Sequence, residues 1–303
     1  MGFLYLLEKI RLPGLNEFML GITHLGDETA FLVVALILIW CVDKFTGYYV
    51  LSVGFLGTIA NQFMKLWFRI PRPWVLDEHF TILEQAREGA SGYSFPSGHT
   101  QSAVGTFGAI GYTSQNKLIR WLCIAVIILV PFSRMYLGVH TPLDVGVAAL
   151  MAAVLVIGLK PLICVKNKRV FPALLGIMLL VSVAFLSFVE CYRFPEDIDP
   201  HNMQSGLKSA YTLLGAILGM IVVYVVDERW LHFPTDAVWW VQIIKAAVGL
   251  GLVLAVKSGL KAPIEGILGN LTGRSVRYFL VVITAGVIWP LTFRWFSKLG
   301  KKE

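Results

Sequence analysis

The sequence predicts an all-α fold, a polytopic helix bundle in a membrane with a six-helix core and extra transmembrane helices at its C-terminal end. The first observation is composition, because 56% of the 303 residues are hydrophobic and only 15% are charged. Soluble domains average about 45–50% apolar and about 25% charged residues. The second observation is a series of apolar runs near the length of about 20 residues that a spanning helix needs. Together they exclude a disordered or collagen-like chain and disfavour a soluble enzyme.

Nine apolar runs are candidate spans, and residues 2–24, where apolar and polar positions alternate, predict one or two short interfacial helices. The nine runs are approximately 28–43, 46–66, 98–114, 118–138, 142–160, 170–190, 208–226, 239–258 and 276–297. The sequence therefore divides into three parts. These are interfacial helices at 1–27, a transmembrane core at 28–190 and additional transmembrane helices of unknown role at 191–303. Polar loops are predicted at 67–97, 191–207 and 269–274.

The C-terminal part contains two features without an assigned role. Gly215 and Gly219 form a G-x-x-x-G spacing, which lets two helices approach closely. Ordinary glycine usage in membrane helices explains this spacing equally well. The basic loop 269–274, with Arg277 after it, is either a contact for a lipid head group or a simple connection between spans, and the connection is the favoured interpretation.

Four span ends converge on one membrane face. Successive spans alternate in direction, so the end of the second run, the start of the third, the end of the fourth and the start of the fifth lie on the same side. The polar residues at these four ends are Lys65, Arg72, Ser97, His99, Arg134, His140 and Asp144. Polar and charged residues near a span are costly, and their convergence indicates a functional site.

Basic residues predict which face this is. Lys and Arg in short loops mark the cytoplasmic side of a membrane protein. The side opposite the converging ends carries Lys117, Arg120, Lys160, Lys166, Lys168, Arg169, Lys298, Lys301 and Lys302. The site is therefore predicted on the extracytoplasmic face, and the compact loops favour a bacterial inner membrane over a eukaryotic endomembrane. The net charge of +7 includes no basic run with interleaved aromatic residues, so nucleic acid is not a predicted partner.

Five of the converging residues form a predicted oxyanion cradle. Lys65, Arg72 and Arg134 put three positive charges at one mouth. The planar guanidinium of arginine suits phosphate oxygens, and lysine adds a point charge. Ser97 and Gly98 precede a helix, whose first backbone N–H groups form an anion site. The pattern predicts phosphate binding.

Two histidines supply the predicted chemistry. His140 and Asp144 lie four residues apart at the start of a helix, so the carboxylate can orient the imidazole and leave one ring nitrogen to attack. His99 is placed to protonate the leaving oxygen. No acidic cluster is typical of a magnesium or calcium site. Because the three cations can do the electrostatic work, neither a metal nor another cofactor is predicted.

These residues occur in three motifs that resemble those of the type-2 phosphatidic acid phosphatase superfamily, in its integral membrane branch. The motifs are Lys65-x6-Arg72-Pro73, Pro96-Ser97-Gly98-His99 and Ser133-Arg134-x5-His140-x3-Asp144. The resemblance covers Lys65 to Asp144 and implies a metal-independent phosphatase that works through a phosphohistidine intermediate. It implies that His140 is the nucleophile, Asp144 its partner and His99 the acid. It also implies that Lys65, Arg72, Ser97, Gly98 and Arg134 hold the phosphate.

The function predicted from this resemblance is hydrolysis of a lipid phosphate. Phosphatidic acid, phosphatidylglycerol phosphate, undecaprenyl diphosphate and a sphingoid phosphate are all open as substrates, and the predicted partners are this lipid and the bilayer. One alternative is a phosphatase for a soluble sugar phosphate, of the glucose-6-phosphatase type. Another is a transporter or scramblase that binds a phosphorylated lipid without hydrolysing it. The oligomeric state is not indicated by the sequence.

Overall fold

The computed structural model describes residues 1–90, 92–164, 169–196 and 198–299, which form helices and no strands. The N-terminal half contains α1 (Gly2–Lys9), α2 (Pro13–Thr23), α3 (Glu28–Cys41), α4 (Lys44–Phe68), α5 (Pro73–Leu76), α6 (Gly98–Thr113), α7 (Lys117–Tyr136) and α8 (Pro142–Cys164). The C-terminal half contains α9 (Val170–Cys191), α10 (Pro200–Val226), α11 (Trp239–Gly259), α12 (Lys261–Leu268), α13 (Asn270–Ile283) and α14 (Phe293–Phe296). The predicted all-α class is confirmed.

Six helical segments of the described chain are long and apolar enough to cross a membrane. They are Lys117–Tyr136, Pro142–Ile163, Val170–Cys191, Pro200–Leu231, Trp239–Leu268 and Asn270–Phe296. A seventh is possible if Pro13–Gly26 and Glu28–Cys41, bent by 54°, form one span. Two predicted spans, α4 and α6, do not meet the criterion. α6 has only 16 residues, and α4 contains Asn61, Gln62 and Lys65, which face the site described below.

Two predicted loops are shorter than expected. The loop predicted at 191–207 ends earlier, because α10 begins at Pro200, where Asp199 accepts a hydrogen bond from the backbone N–H of His201 (3.1 Å). The loop predicted at 269–274 is helical from Asn270. Gly269 has a φ of +79°, a backbone conformation that suits glycine and turns the chain from α12 into α13. Both predicted loops extended too far, because the first turns of α10 and α13 are polar and an apolar run does not include them.

The chain forms two compact units. The first contains Met1–Leu32, Tyr49–Pro161 and Arg193–Gly206, and the second contains Val33–Tyr48, Leu162–Tyr192 and the chain from Leu207 onwards. The division predicted from the sequence at residues 27 and 190 stays a prediction. Of the basic residues predicted on the cytoplasmic side, Lys166, Lys168, Lys301 and Lys302 lie outside the described residues.

In the first unit, a hydrophobic cluster lies between the chain just after α7 and the loop that follows α5. Tyr136, Leu137 and Val139 are fully buried there and pack with Met19 of α2 and Ala90. Because burial of this kind stabilises by about 25 cal/mol per Å² of apolar surface, the cluster fixes the short stretch that leads from α7 into α8. That stretch carries His140.

In the second unit, the G-x-x-x-G spacing of α10 lies against α13. A Cβ atom on Gly215 would lie 2.0 Å from the backbone oxygen of Ser275, and a Cβ on Gly219 would lie 2.8 Å from the Cβ of Val282. Neither distance is tolerable, so both glycines are required by the close approach of the two helices. Of the two explanations left open by the sequence, the structure supports helix packing.

Candidate active site

The converging motif residues surround a cavity in the first unit. The cavity has a volume of about 290 Å³. Five of the predicted site residues line it, and these are Lys65, Arg72, Gly98, His99 and His140. Such a volume lies at the lower end of the range of about 300–1,000 Å³ that is usual for small-molecule sites. It suits a phosphoryl group and the part of the substrate next to it.

The side chains of Lys65 and Arg72 are held by backbone carbonyls of two loops. Lys65 Nζ donates to the carbonyl of Tyr93 at 2.8 Å. Arg72 Nε donates to the carbonyl of Gly92 at 2.8 Å, and its Nη1 donates to the carbonyl of Val139 at 2.9 Å. Burial lowers the pKa of Arg72 to about 10, so the guanidinium is still charged at neutral pH. Both cations are thus fixed before a ligand arrives.

His140 lies beside this guanidinium and is almost fully buried. Arg72 Nη1 is 2.9 Å from His140 Nε2. Since a guanidinium only donates, this contact requires a lone pair on Nε2 and therefore the tautomer with its proton on Nδ1. Burial, and then the charges of Arg72, Arg134 and Lys65, lower the pKa of His140 well below its ordinary value. The imidazole is neutral at physiological pH, and the residue lines the cavity.

Asp144 approaches the other side of the His140 ring both directly and through a serine. Its Oδ2 is 3.5 Å from His140 Nδ1, which is long for a hydrogen bond. The hydroxyl of Ser94 donates to the same Oδ2 at 2.6 Å and has its Oγ 3.4 Å from Nδ1. Thr141 completes the arrangement, since its N–H donates to Asp144 Oδ2 at 2.7 Å while its Oγ1 accepts from the N–H of Asp144 at 3.2 Å. This reciprocal capping fixes the carboxylate at the start of α8.

Ser97 and Gly98 form the start of α6. The Oγ of Ser97 accepts from the N–H of Thr100 at 3.3 Å, as an N-cap does, and the N–H of Ser97 donates to the carbonyl of Asp144 at 3.1 Å. The second bond joins the second and third motifs directly. Gly98 lines the cavity in the first turn, where backbone N–H groups favour an anion.

His99 is held by a carboxylate that the sequence analysis did not identify. Its Nε2 is 2.9 Å from Oδ1 of Asp27, whose Oδ2 is 2.8 Å from Nδ1 of His24. Asp27 lies in the break between α2 and α3. Burial, and then the charge of Arg134, lower the pKa of His99 to about 4, and the hydrogen bond to Asp27 opposes this shift without overcoming it. Asp27 holds the ring through Nε2, which leaves Nδ1 as the nitrogen that can exchange a proton with a ligand.

Arg134 is fully buried next to the cavity and is not among the residues that line it. Its Nη1 donates to Oγ1 of Thr23 at 2.7 Å, and its Nη2 is 3.5 Å from the carbonyl of Gly89. Its Nε has no hydrogen-bond partner within the part of the chain that the structure describes. The structure thus gathers all eight predicted site residues in one region, and it keeps Arg134, Ser97 and Asp144 behind the cavity wall.

Two site residues, Ser94 and Asp27, were missed by the sequence analysis. Ser94 precedes the second motif by only two residues, yet no spacing or periodicity distinguishes it from other serines. Asp27 is more than 70 residues from His99 and lies at the edge of an apolar run, where a carboxylate ordinarily caps the following helix. Only the fold brings each of them to its histidine.

Comparison with known proteins identifies the family. Residues 45–169 match the model described as PAP2 superfamily. The chain is also 33% identical over 150 residues to phosphatidylglycerophosphatase B of Bacillus subtilis (strain 168), which covers 45% of this chain and 69% of that protein. This chain belongs to the PAP2 superfamily. The predicted type-2 phosphatidic acid phosphatase membership is confirmed, and so is the class of phosphoric ester hydrolase.

A second relative and a second family match extend this picture. The chain is 31% identical over 103 residues to undecaprenyl-diphosphatase BcrC of the same organism, covering 34% of this chain and 50% of that protein. Residues 211–302 match a model described as PAP2 superfamily phosphatase, transmembrane extension. No solved structure matches the chain. The predicted additional C-terminal helices are therefore a recognised part of a PAP2 protein, and the chain is an integral membrane protein.

Proposed function

We propose that this PAP2 protein removes phosphate from a lipid phosphate through a covalent phosphohistidine, without a metal. The observation that carries the proposal is the environment of His140. The residue lines the cavity, its Nε2 is 2.9 Å from Nη1 of the fixed Arg72 guanidinium, and its Nδ1 is 3.5 Å from a carboxylate oxygen of Asp144. A neutral, oriented imidazole beside a cationic clamp is the arrangement that nucleophilic attack on phosphorus requires.

In the first step, the lone pair of His140 Nε2 attacks phosphorus and the bond from phosphorus to the leaving oxygen breaks. His99, whose protonated form is favoured by the negative charge of the bound phosphate, gives its proton to that oxygen. The lipid alcohol therefore leaves neutral, or a lipid monophosphate leaves when the substrate is a diphosphate. Lys65 and Arg72 neutralise the charge on the transferring group, together with the N–H groups after Ser97 and Gly98, and Arg134 adds its charge from behind the cavity wall. Asp144 stabilises the charge that develops on the His140 ring.

In the second step, water attacks the phosphohistidine. His99, now neutral, takes a proton from this water, the phosphorus–nitrogen bond breaks and inorganic phosphate leaves. Both histidines return to their starting states, so the cycle consumes one water and requires no other reactant. The electrostatic work falls to side-chain cations and backbone N–H groups, which supports metal independence.

The names of the two relatives support a lipid substrate, since one is a phosphatidylglycerophosphatase and the other an undecaprenyl-diphosphatase. We therefore propose phosphatidylglycerol phosphate or undecaprenyl diphosphate as the first substrates to test, followed by phosphatidic acid and a sphingoid phosphate. We further propose that the protein lies in a bacterial inner membrane and that the site opens on its extracytoplasmic face.

A substrate panel in detergent micelles tests this function. We expect phosphate release from a lipid mono- or diphosphate in the presence of a chelator, inhibition by vanadate, which mimics the transition state of phosphoryl transfer, and loss of release in H140A, K65A and R72A. Release from glucose 6-phosphate alone would instead favour a soluble sugar-phosphate substrate. Full function of H140A would favour binding without hydrolysis, and activity abolished by the chelator would contradict metal independence.

A further inference from the structure

Asn202 lies outside all three motifs, in the segment between the two family matches, which end at residue 169 and begin at residue 211. It belongs to the first turn of α10 and is 93% buried in the first unit. Asparagine is mostly exposed in proteins, and a buried amide requires hydrogen-bond partners. The position of these partners shows what Asn202 does.

The side chain of Asn202 is bound on both sides. Its Oδ1 accepts a hydrogen bond from the backbone N–H of Tyr93 at 2.6 Å. Its Nδ2 donates to Oδ2 of Asp199, the residue immediately before α10. The N–H of Asp199 in turn lies 3.3 Å from the hydroxyl of Tyr93. The start of α10 therefore binds Tyr93 through two hydrogen bonds, one at its backbone N–H and one at its phenol oxygen.

The backbone held by Asn202 also holds the two cations. The peptide that joins Gly92 to Tyr93 has its N–H on Asn202, and its carbonyl, that of Gly92, accepts from Arg72 Nε at 2.8 Å. The carbonyl of the next peptide, that of Tyr93, accepts from Lys65 Nζ at 2.8 Å. Gly92 has a φ of +78°, and a Cβ atom there would lie 2.2 Å from Asn202 Oδ1. The close approach of Asn202 thus depends on a glycine, and the amide fixes the segment from which both clamp residues take their orientation.

We propose that Asn202 is a positioning residue for phosphate transfer, acting through the backbone of Gly92 and Tyr93 on Arg72 and Lys65. The inference rests on the phosphate clamp proposed above. It gives the segment after α9 a part in the chemistry, although neither family match includes it. Displacement of a binding group by about 1 Å can cost about 10²-fold in rate, so the effect of losing this anchor is measurable.

The test uses the full-length protein in micelles with a lipid phosphate that the wild type hydrolyses. We expect N202A to lower kcat/KM by about 10- to 100-fold and to raise the inhibition constant of vanadate by a similar factor. N202S, whose hydroxyl is too short to reach Tyr93, should behave in the same way if N202A does not fold. The matched control is N16A, because Asn16 also accepts one hydrogen bond that joins two elements, from the hydroxyl of Tyr136 at 2.7 Å. N16A should leave both constants within about twofold.

A double exchange distinguishes a positioning effect of Asn202 from a general loss of protein stability. In N202D/D199N the carboxylate at position 202 still accepts from the N–H of Tyr93, and the new amide at position 199 donates to that carboxylate. Both hydrogen bonds are kept, and only the one between positions 202 and 199 has its donor and acceptor exchanged. We expect this variant to recover most of the kcat/KM and vanadate affinity lost in N202A. Wild-type vanadate affinity in a folded N202A or N202S, or failure of the exchange to restore it, would overturn the proposal. Full activity of K65A and R72A would contradict the proposed phosphate clamp. An inactive K65A together with a fully active N202A would contradict only the proposed role of Asn202.

Discussion

Each histidine of the site is oriented by a carboxylate, but the two pairs are built differently. Asp144 is four residues from His140 and is fixed by the capping arrangement with Thr141. Asp27 reaches His99 from a separate element, at 2.9 Å. The first pair belongs to one helix start and follows from spacing. The second depends on the packing of the N-terminal helices, so we expect removal of Asp27 to affect His99 without altering His140, the proposed nucleophile.

We expect D27N to lower kcat/KM for a lipid phosphate by about 10- to 100-fold, within the contribution of about 10²–10⁴ that general acid–base catalysis makes. This constant reports the first step, in which His99 acts as the acid, and not the later hydrolysis of the phosphohistidine. The loss should nearly disappear with p-nitrophenyl phosphate, whose leaving group does not require protonation. Steady-state kinetics on both substrates measure this, with E17Q, an exposed carboxylate on α2, as the control. Equal losses on the two substrates would show that Asp27 does not act through the acid.

The pH profile reports the state of His140. Attack requires the neutral imidazole, so kcat/KM falls as pH drops through the pKa of this residue. Because burial and the neighbouring cations lower that pKa, the fall should begin below the ordinary histidine value of about 6.5. In R72Q, which removes one of these cations, the acid limb should move to higher pH on a reduced plateau. An acid limb at the same pH in both proteins would indicate that a group other than His140, such as the substrate phosphate, titrates there.

The sequence predicted the residues of the clamp and the two histidines because polar residues at the ends of apolar runs are costly and conspicuous. Lys65, His99 and Asp144 could be recognised in this way. Ser94, Asp27 and Asn202 could not, because each is a common residue type in a common local context. Asn202 lies 109 residues from Tyr93, and no local pattern in either segment encodes that distance.

At the scale of helices, the apolar runs predicted where helices exist more reliably than where they begin. α10 and α13 start earlier than their runs because their first turns are polar. Signals for α10 were present, since Asp199 precedes Pro200 and proline is favoured in the first turn of a helix. A search for apolar runs ignores such signals. α4 and α6 do not meet the criterion for a span for another reason, because polar residues on their inner faces line the site.

The contact of α10 with α13 gives a prediction for the second unit. Alanine at Gly215 requires the backbone at Ser275 to move, and overpacking of this kind costs about 1–3 kcal/mol. We expect G215A to lower the thermal unfolding temperature in detergent. The matched control is G251A in α11, because a Cβ on Gly251 meets no atom within 4 Å. An unchanged unfolding temperature in G215A would contradict the close packing.

At the scale of the whole molecule, the proposed topology puts the cavity and the loop after α5 on the extracytoplasmic face. In a background without native cysteines, E84C in that loop should react with a membrane-impermeant maleimide in intact cells. Q115C, in the connection between α6 and α7, should react only after permeabilisation. Both positions are exposed, so accessibility to the reagent depends on the side of the membrane. The reverse pattern would place the site in the cytoplasm.

The carbonyls of Gly92 and Tyr93 also bear on turnover. If none of the cationic donors of a phosphate site had a hydrogen-bond partner in the protein, the site would bind its inorganic product as tightly as its substrate. Uniform binding of this kind does not raise kcat. Here two donors on Arg72 and one on Lys65 are already engaged by backbone oxygens. The backbone carbonyls that orient the clamp therefore also lower its affinity for inorganic phosphate, and the product is released more easily after each cycle.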